Sequence, residues 1–253
     1  MNCPVCDTQL KEGKWTCTPQ CAGKLASSWR VANDLKRKFN TEDKNYIREK
    51  LYSFIKNHTT LVQNQGTAVS ILDLWGGGLF SDYILDRIKN VQNHGGFVLY
   101  EIDNNPKLFP ALKDYANRKN QNVHVKNQEV VVIPFCSSLA EFFHICTVKN
   151  QSLVDFIWLD YCGGIVNLRK DIELVKKVVG KDTIIAVTLM RARDNQIDGQ
   201  NRHKSVDGIV SDYLPLHKRF YTHSYSSDAG NMELYVYKID SKLKKFKYLS
   251  FLF

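Results

Sequence analysis

Four cysteines, Cys3, Cys6, Cys17 and Cys21, crowd the first 21 residues of a 253-residue chain that holds seven in all. They fall as two close pairs with a short loop between them, a spacing that lets four thiolates reach one tetrahedral Zn2+. Pro4 stiffens the first knuckle. An odd total in a long chain is a poor disulfide count. A reactive redox pair is the alternative, although such motifs usually sit beside a βαβ unit. Structural Zn2+ is therefore the expectation.

The second constellation is Asp73-Leu74-Trp75-Gly76-Gly77-Gly78. An apolar run ends, three glycines follow, and a helical pattern begins at Leu79 and Phe80. Glycines let the backbone turn sharply and approach a ligand, because a Cβ would fill that space. The helix behind them would aim amide N–H groups at the same place. Further on, Phe97-Val98-Leu99-Tyr100-Glu101-Ile102-Asp103 puts a carboxylate at the end of a second run. A carboxylate about 20 residues past such glycines can accept both hydroxyls of a ribose. Glu101 is the choice for that role. Asp103 competes for it, or simply starts the turn Asp103-Asn104-Asn105-Pro106. A dinucleotide-dependent oxidoreductase would share both motifs.

A third constellation, Trp158-Leu159-Asp160-Tyr161-Cys162-Gly163-Gly164, closes a fourth run. Asp160 could accept a hydrogen bond from an exocyclic amine and aim it, while Tyr161 stacks on the base that carries it. Alternatively Asp160 contacts a cofactor or shapes the loop. Nothing nearby lowers the thiol of Cys162, which reads as a small buried side chain rather than a nucleophile. The histidines show no metal-ligand spacing.

These residues need positioning, and the chain supplies an alternating scaffold from Ala68 onward. Val69–Leu74, Phe97–Ile102, Val130–Phe135, Val154–Leu159 and Thr183–Leu189 are short apolar runs, the mark of buried parallel strands. Between them lie helical stripes: Phe80, Ile84, Ile88, Val91, and later Leu168, Ile172, Val175, Val179, with Gly180 as a stop. Ser138 and Glu141 make a capping box for a helix through Leu139, Phe142 and Phe143. Arg219–Ser226 and Glu233–Ile239 alternate around Asp228-Ala229-Gly230-Asn231, an antiparallel hairpin. Upstream, Leu25, Trp29, Ala32, Leu35 and then Ile47, Leu51, Phe54, Ile55 mark two helices, the second capped at Asn40 with Asp43. Arg30, Lys36, Arg37, Lys38, Lys44, Arg48 and Lys50 read as their solvated or polyanion-facing sides.

A mostly parallel sheet finished by an antiparallel hairpin resembles the class I S-adenosylmethionine-dependent methyltransferases, a Rossmann-like α/β fold of seven strands. The resemblance covers about Ala68 to Asp240. It implies that Asp73 organises the methionine end of S-adenosylmethionine, that Gly76, Gly77 and Gly78 form the cofactor turn, and that Gly77 is the second motif glycine. Trp75 stands where the family has its first glycine, so either Gly76 takes that place or the indole narrows the pocket. Asp160-Tyr161 is similar to the motif of amino-methylating nucleic-acid enzymes, without their prolines. The cysteine segment resembles the zinc module of a ribosomal-RNA guanine methyltransferase family, with Cys21 where that family has His.

Composition bounds the partners. Thirty-five Lys plus Arg against 26 Asp plus Glu gives a net +9, which favours a polyanion. Lys242-Leu243-Lys244-Lys245-Phe246-Lys247-Tyr248 interleaves basic and aromatic residues, as nucleic-acid tracts do and solubilising tails also do. No apolar run approaches a membrane span, and the opening residues lack the plan of a secretory signal. The expectation is three parts: a zinc-finger module at 1–24, a basic helical connector at 25–66 and a methyltransferase domain at 67–253. It would act on nucleic acid, RNA before DNA, at a base nitrogen, in the cytoplasm or nucleus. The competing expectation is a catalytically inactive protein of the same fold that binds nucleic acid or a partner enzyme.

Overall fold

Runs of β-branched and aliphatic residues, too short for helices and flanked by turn formers, become the strands of a computed structural model. It describes residues 1–63, 68–88, 96–122, 130–148, 154–161, 164–191, 199–214, 217–227 and 230–240. His94, His124, Cys162, Asp228, Ala229 and the tract Lys242–Tyr248 lie outside them. The elements in chain order are α1 (Pro19–Phe39), α2 (Glu42–Gln63), β1 (Val69–Leu74), α3 (Leu79–Ile88), β2 (Phe97–Ile102), α4 (Phe109–Asn122) and β3 (Val130–Phe135). There follow α5 (Leu139–Val148), β4 (Phe156–Asp160), α6 (Ile165–Val175), β5 (Ile184–Met190), α7 (Gly199–Tyr213), β6 (His217–Ser227) and β7 (Gly230–Ile239). The sheet has seven strands in the order β3-β2-β1-β4-β5-β7-β6, the mixed sheet expected from the sequence. Among the described residues no helix is long and apolar enough to cross a membrane.

Met1–His144 and Ile145–Phe253 form two compact units. In the first, β1 and β2 run parallel in a register that sets Asp73 beside Glu101 and Leu74 beside Ile102. β3 continues on the other side of β2, with Pro134 beside Glu101. The three strands therefore end at one level, which gathers Trp75, Asp103 and Cys136 there. α1 packs on α4, and the Ser28 hydroxyl accepts the Ala111 amide at 3.0 Å. Ile47, Leu51 and Ile55 bury the inner stripe of α2 as the periodicity predicts.

In the second unit β4 and β5 are parallel, with Asp160 beside Thr188. β7 is antiparallel to both β5 and β6, and a register shift between Arg219 and Tyr221 turns the edge strand. Every residue of β5 is buried. Behind it, Arg202 of α7 is 1% exposed, donates to the carbonyls of Met190 and Arg191, and pairs with Glu233 at 2.6 Å.

Several sequence expectations shift by local chemistry. Thr41, not Asn40, caps α2, its hydroxyl accepting the Lys44 amide at 3.3 Å. β4 starts two residues late because Val154 is spent on loop bonds: its amide donates to Val178 and its carbonyl accepts the Thr183 hydroxyl. α6 stops at Val175 rather than at Gly180, and Lys177 and Val178 close a tighter final turn with i→i−3 bonds. The capping box forms as written: Glu141 accepts the Ser138 amide at 2.9 Å while its own amide donates to the Ser138 hydroxyl. Of the seven basic residues assigned to the connector surface, Arg30, Arg37 and Lys38 are exposed, whereas Lys44 and Arg48 are buried.

Candidate active site and metal centre

The N-terminal cysteines converge. Cys3 donates its amide to Thr8, Asp7 donates back to Cys3, and Asp7 takes a positive φ of 59°, so Cys3 and Cys6 sit in one tight reversal. The second pair is fixed by the start of α1. Thr18 caps that helix by accepting the Cys21 amide at 3.2 Å, which places Cys21 in the first turn beyond Cys17. All four sulfurs lie within 4.8 Å of one another. Cys6–Cys17 is 3.2 Å, Cys17–Cys21 3.5 Å and Cys21–Cys6 3.8 Å. A tetrahedron of Zn–S bonds near 2.3 Å needs sulfurs about 3.8 Å apart. The donor set and the spacing both fit Zn2+. The Thr8 hydroxyl and amide draw the Cys6 thiol down to about 6, while hydrogen bonds to Cys6 and Cys21 push Cys17 up to about 12. Four crowded thiols resist losing all their protons unless a cation offsets the charge.

The module is also anchored. Asp7 pairs with Lys113 of α4 at 2.8 Å, and the Arg118 guanidinium lies 4.9 Å from the Trp15 ring.

The glycine turn forms where β1 ends, and its three glycines take positive φ of 45°, 95° and 81°. The reason glycine is required differs from the expected one. A Cβ on Gly77 would lie 2.9 Å from the Ala32 carbonyl oxygen and 3.1 Å from Cγ of Lys36, both on α1. A Cβ on Gly78 would lie 2.8 Å from Nε1 of Trp75. The close approach here is to α1 and to the Trp75 indole. Trp75 is 1% exposed and its Nε1 has no hydrogen-bond partner among the described residues. Its ring stands 6.3 Å from Trp29 and 5.9 Å from Tyr115.

The two candidate ribose carboxylates are in opposite situations. Asp103 is engaged: it accepts the Asn105 amide at 2.8 Å, which shapes its own turn, and the Gly76 amide lies near its carboxylate. Burial nonetheless pushes its carboxyl up. Glu101 is fully buried, and neither of its oxygens has a partner among the described residues. Burial raises its carboxyl to about 8; the nearby Ser81 hydroxyl opposes this and the Asp82 charge adds to it. An orphaned buried carboxylate is costly unless a ligand completes it. Asp73, beside Glu101 in the register, is 3% exposed.

The sequence assigned no site role to the residues that enclose this place. Asp82 on α3 receives Lys36 at 2.9 Å, Lys119 at 2.8 Å and the Tyr115 hydroxyl at 3.1 Å. Its carboxyl is pulled down by those lysines against its own burial. Trp29 donates to the buried Asp114 at 2.7 Å. Burial, together with the Glu101 and Asp82 charges, holds the Tyr115 hydroxyl well above its usual range.

In the second unit Asp160 ends β4, half-buried. Tyr161 follows, 8% exposed, with its hydroxyl donating to Asp171 at 2.5 Å. Tyr161 is thus buried, its hydroxyl tied to α6. The Tyr161 amide donates to Thr188, whose hydroxyl accepts Nε1 of Trp158 at 3.0 Å.

No protein-family model matches the chain, and no curated protein matches its sequence. Solved structures do match. The chain is similar to the O-methyltransferase from Bacillus cereus in complex with SAH, at 14% identity and a TM-score of 0.50 over 86% of this chain and 91% of that one. It is similar as well to the O-methyltransferase TomG from Streptomyces achromogenes, involved in tomaymycin synthesis and solved with SAM. There the identity is 11% and the TM-score 0.50, over 84% of this chain and 89% of that one. At such identities the likeness concerns the fold.

Proposed function

We propose that this chain, which has the fold of the class I S-adenosylmethionine-dependent methyltransferases, is an S-adenosylmethionine-dependent methyltransferase of nucleic acid. RNA is preferred over DNA as the substrate, and a base nitrogen as the target. The observation that carries the cofactor reading is Glu101: a buried carboxylate with two unused oxygens at the end of β2, beside a glycine turn. A ribose diol supplies two donors to such a group. Asp73 would face the methionine end, and Gly76, Gly77 and Gly78 would line the turn. Asp103 lies beside that turn, its carboxylate near the Gly76 amide.

The cofactor brings an electrophilic methyl group, which leaves the chain to align an acceptor and take its proton. Asp160 is assigned that work at the end of β4. Tyr161 is better suited to fixing the strand end through Asp171 than to holding a base. The net charge of +9 and the exposed Lys24, Arg30, Arg37 and Lys38 of α1 support a polyanionic substrate. So does the cysteine cluster, read as a structural Zn2+ site.

Transfer of labelled methyl from S-adenosylmethionine to separated RNA, DNA and protein fractions tests the class and the substrate together. Label confined to RNA is expected, and label in protein alone refutes the nucleic-acid reading.

One observation favours a second reading, a non-catalytic nucleic-acid-binding protein. The space over Gly77 and Gly78 is taken by α1 and Trp75. Intact RNA binding with no measurable binding of S-adenosylhomocysteine would establish it.

A further inference from the structure

The wall over the glycine turn is built differently from the core around it. α1 is held at its start by the cysteine cluster and at its middle by Ser28 on the Ala111 amide and by Trp29 on Asp114. Its C-terminal half leans on the turn itself. There Ala32 meets Gly77 backbone to side-chain space, and Lys36 lays its stem on Gly77. The Lys36 ammonium reaches Asp82 at 2.9 Å, 6.0 Å from the centre of the Trp29 ring and 5.9 Å from that of Tyr115. This ion pair is the half-buried part of the contact, with side chains 23% and 32% exposed. Behind the wall, three polar atoms are buried without partners among the described residues: both oxygens of Glu101 and Nε1 of Trp75. Buried polar atoms without partners need something to meet them, and a bound ligand with polar groups of its own would do so.

We infer that the C-terminal half of α1 is a gate on the cofactor site, latched by Lys36 on Asp82, and that cofactor binding requires it to lift. The inference rests on the reading of Glu101 as the ribose partner. Two features suit the latch to reversible opening. Asp82 keeps Lys119 and Tyr115 when Lys36 leaves, so the carboxylate is not stranded. α1 also ends at Asn40 in a non-helical conformation, φ −89° and ψ 64°, which lets its last turns move without dragging α2. The closed state lowers apparent affinity by the fraction of molecules that are open, so the latch sets how much cofactor the protein needs.

The test uses the whole 253-residue chain, zinc-loaded, with S-adenosylhomocysteine as the probe. Hydrogen exchange is followed by mass spectrometry on peptides covering residues 32–39. Binding is measured by calorimetry for the wild type, Lys36→Met and Lys36→Arg. Saturating probe should speed exchange in that peptide several-fold. Lys36→Met, which keeps the packed stem but loses the ion pair, should bind about three- to fivefold more tightly. Lys36→Arg should stay near the wild type. Binding that leaves exchange in α1 unchanged or slower overturns the gate alone. Absence of binding to the wild type and to Lys36→Met overturns the cofactor reading, and the gate falls with it. The exchange measurement on the wild type stands even where a variant folds poorly.

Discussion

Glu101→Gln replaces a buried acid by a neutral group of the same shape. In the folded chain burial lifts the Glu101 carboxyl from 4.5 to about 8. Below the lower value both folded and unfolded forms are protonated, and above the upper one both are ionised. Between them the unfolded chain releases its proton while the folded chain keeps it. Stability therefore falls as pH rises through that window, with a limiting slope of about 1.4 kcal/mol per pH unit. Across the window the ceiling is about 5 kcal/mol; reorientation of Ser81 and entry of water bring the realised loss to about 2–3 kcal/mol. Urea unfolding of the wild type and Glu101→Gln, at several pH values from about 5 to about 8, reads this directly. The other shifted carboxyls, Asp82, Asp103 and Asp171, are common to both proteins and cancel in the difference. The two proteins should be equally stable near pH 5, with the variant ahead by about 2–3 kcal/mol near pH 8. Parallel curves would refute the claim that Glu101 is an uncompensated buried acid, and with it the argument that a ligand must complete it.

Three further predictions concern the other parts of the site. Protein purified without chelator should carry one zinc per chain, and removing the metal should speed exchange at the Cys3 and Leu10 amides, now bonded to Thr8 and Met1; absence of stoichiometric metal by elemental analysis counts against the centre. Gly77→Ala puts a Cβ 2.9 Å from the Ala32 carbonyl at a φ of 95°, so it should cost about 2–4 kcal/mol in denaturant unfolding; a loss below 1 kcal/mol would mean that α1 does not sit on the turn. Asp160→Ala should lower methyl transfer about 10²–10⁴-fold while S-adenosylhomocysteine affinity stays within a few-fold; joint loss of both would move Asp160 into the cofactor pocket.

The strands were legible because each is a short apolar run between turn formers, even the edge strand β3, which exposes Val131, and β1, β2 and β3 have the very bounds that the sequence suggests. α4 and α7 were not singled out. The buried stripe of α4, Ala111, Leu112, Tyr115 and Ala116, is interleaved with Lys113, Asp114 and Arg118, and that of α7 opens on the buried charge of Arg202. A charge inside an apolar stripe defeats a periodicity reading, because its compensating partner, here Glu233, is far along the chain. Lys36 was obscured for the same reason: on a helix rich in cations it looks solvated, and only the fold brings Asp82 to it. The cysteines needed no such help, since both pairs are local and capped by neighbours. Trp75 could be recognised as a departure from its motif, but where its indole goes depends on Gly78 and Tyr115.

The placement of β7 has a consequence for how the chain is made. β5, buried along its whole length, pairs with β4 on one side and with β7 on the other. β6 is synthesised before β7 yet lies outside it, at the sheet edge. As the polypeptide leaves the ribosome, β6 emerges with no seat of its own, and the outer side of β5 stays unsatisfied until residues up to Ile239 have appeared. An apolar strand with a bare edge is a template for pairing with other chains. A ribosome stalled between β5 and β7 would thus release its most aggregation-prone product, and chaperone demand during synthesis should peak over that interval.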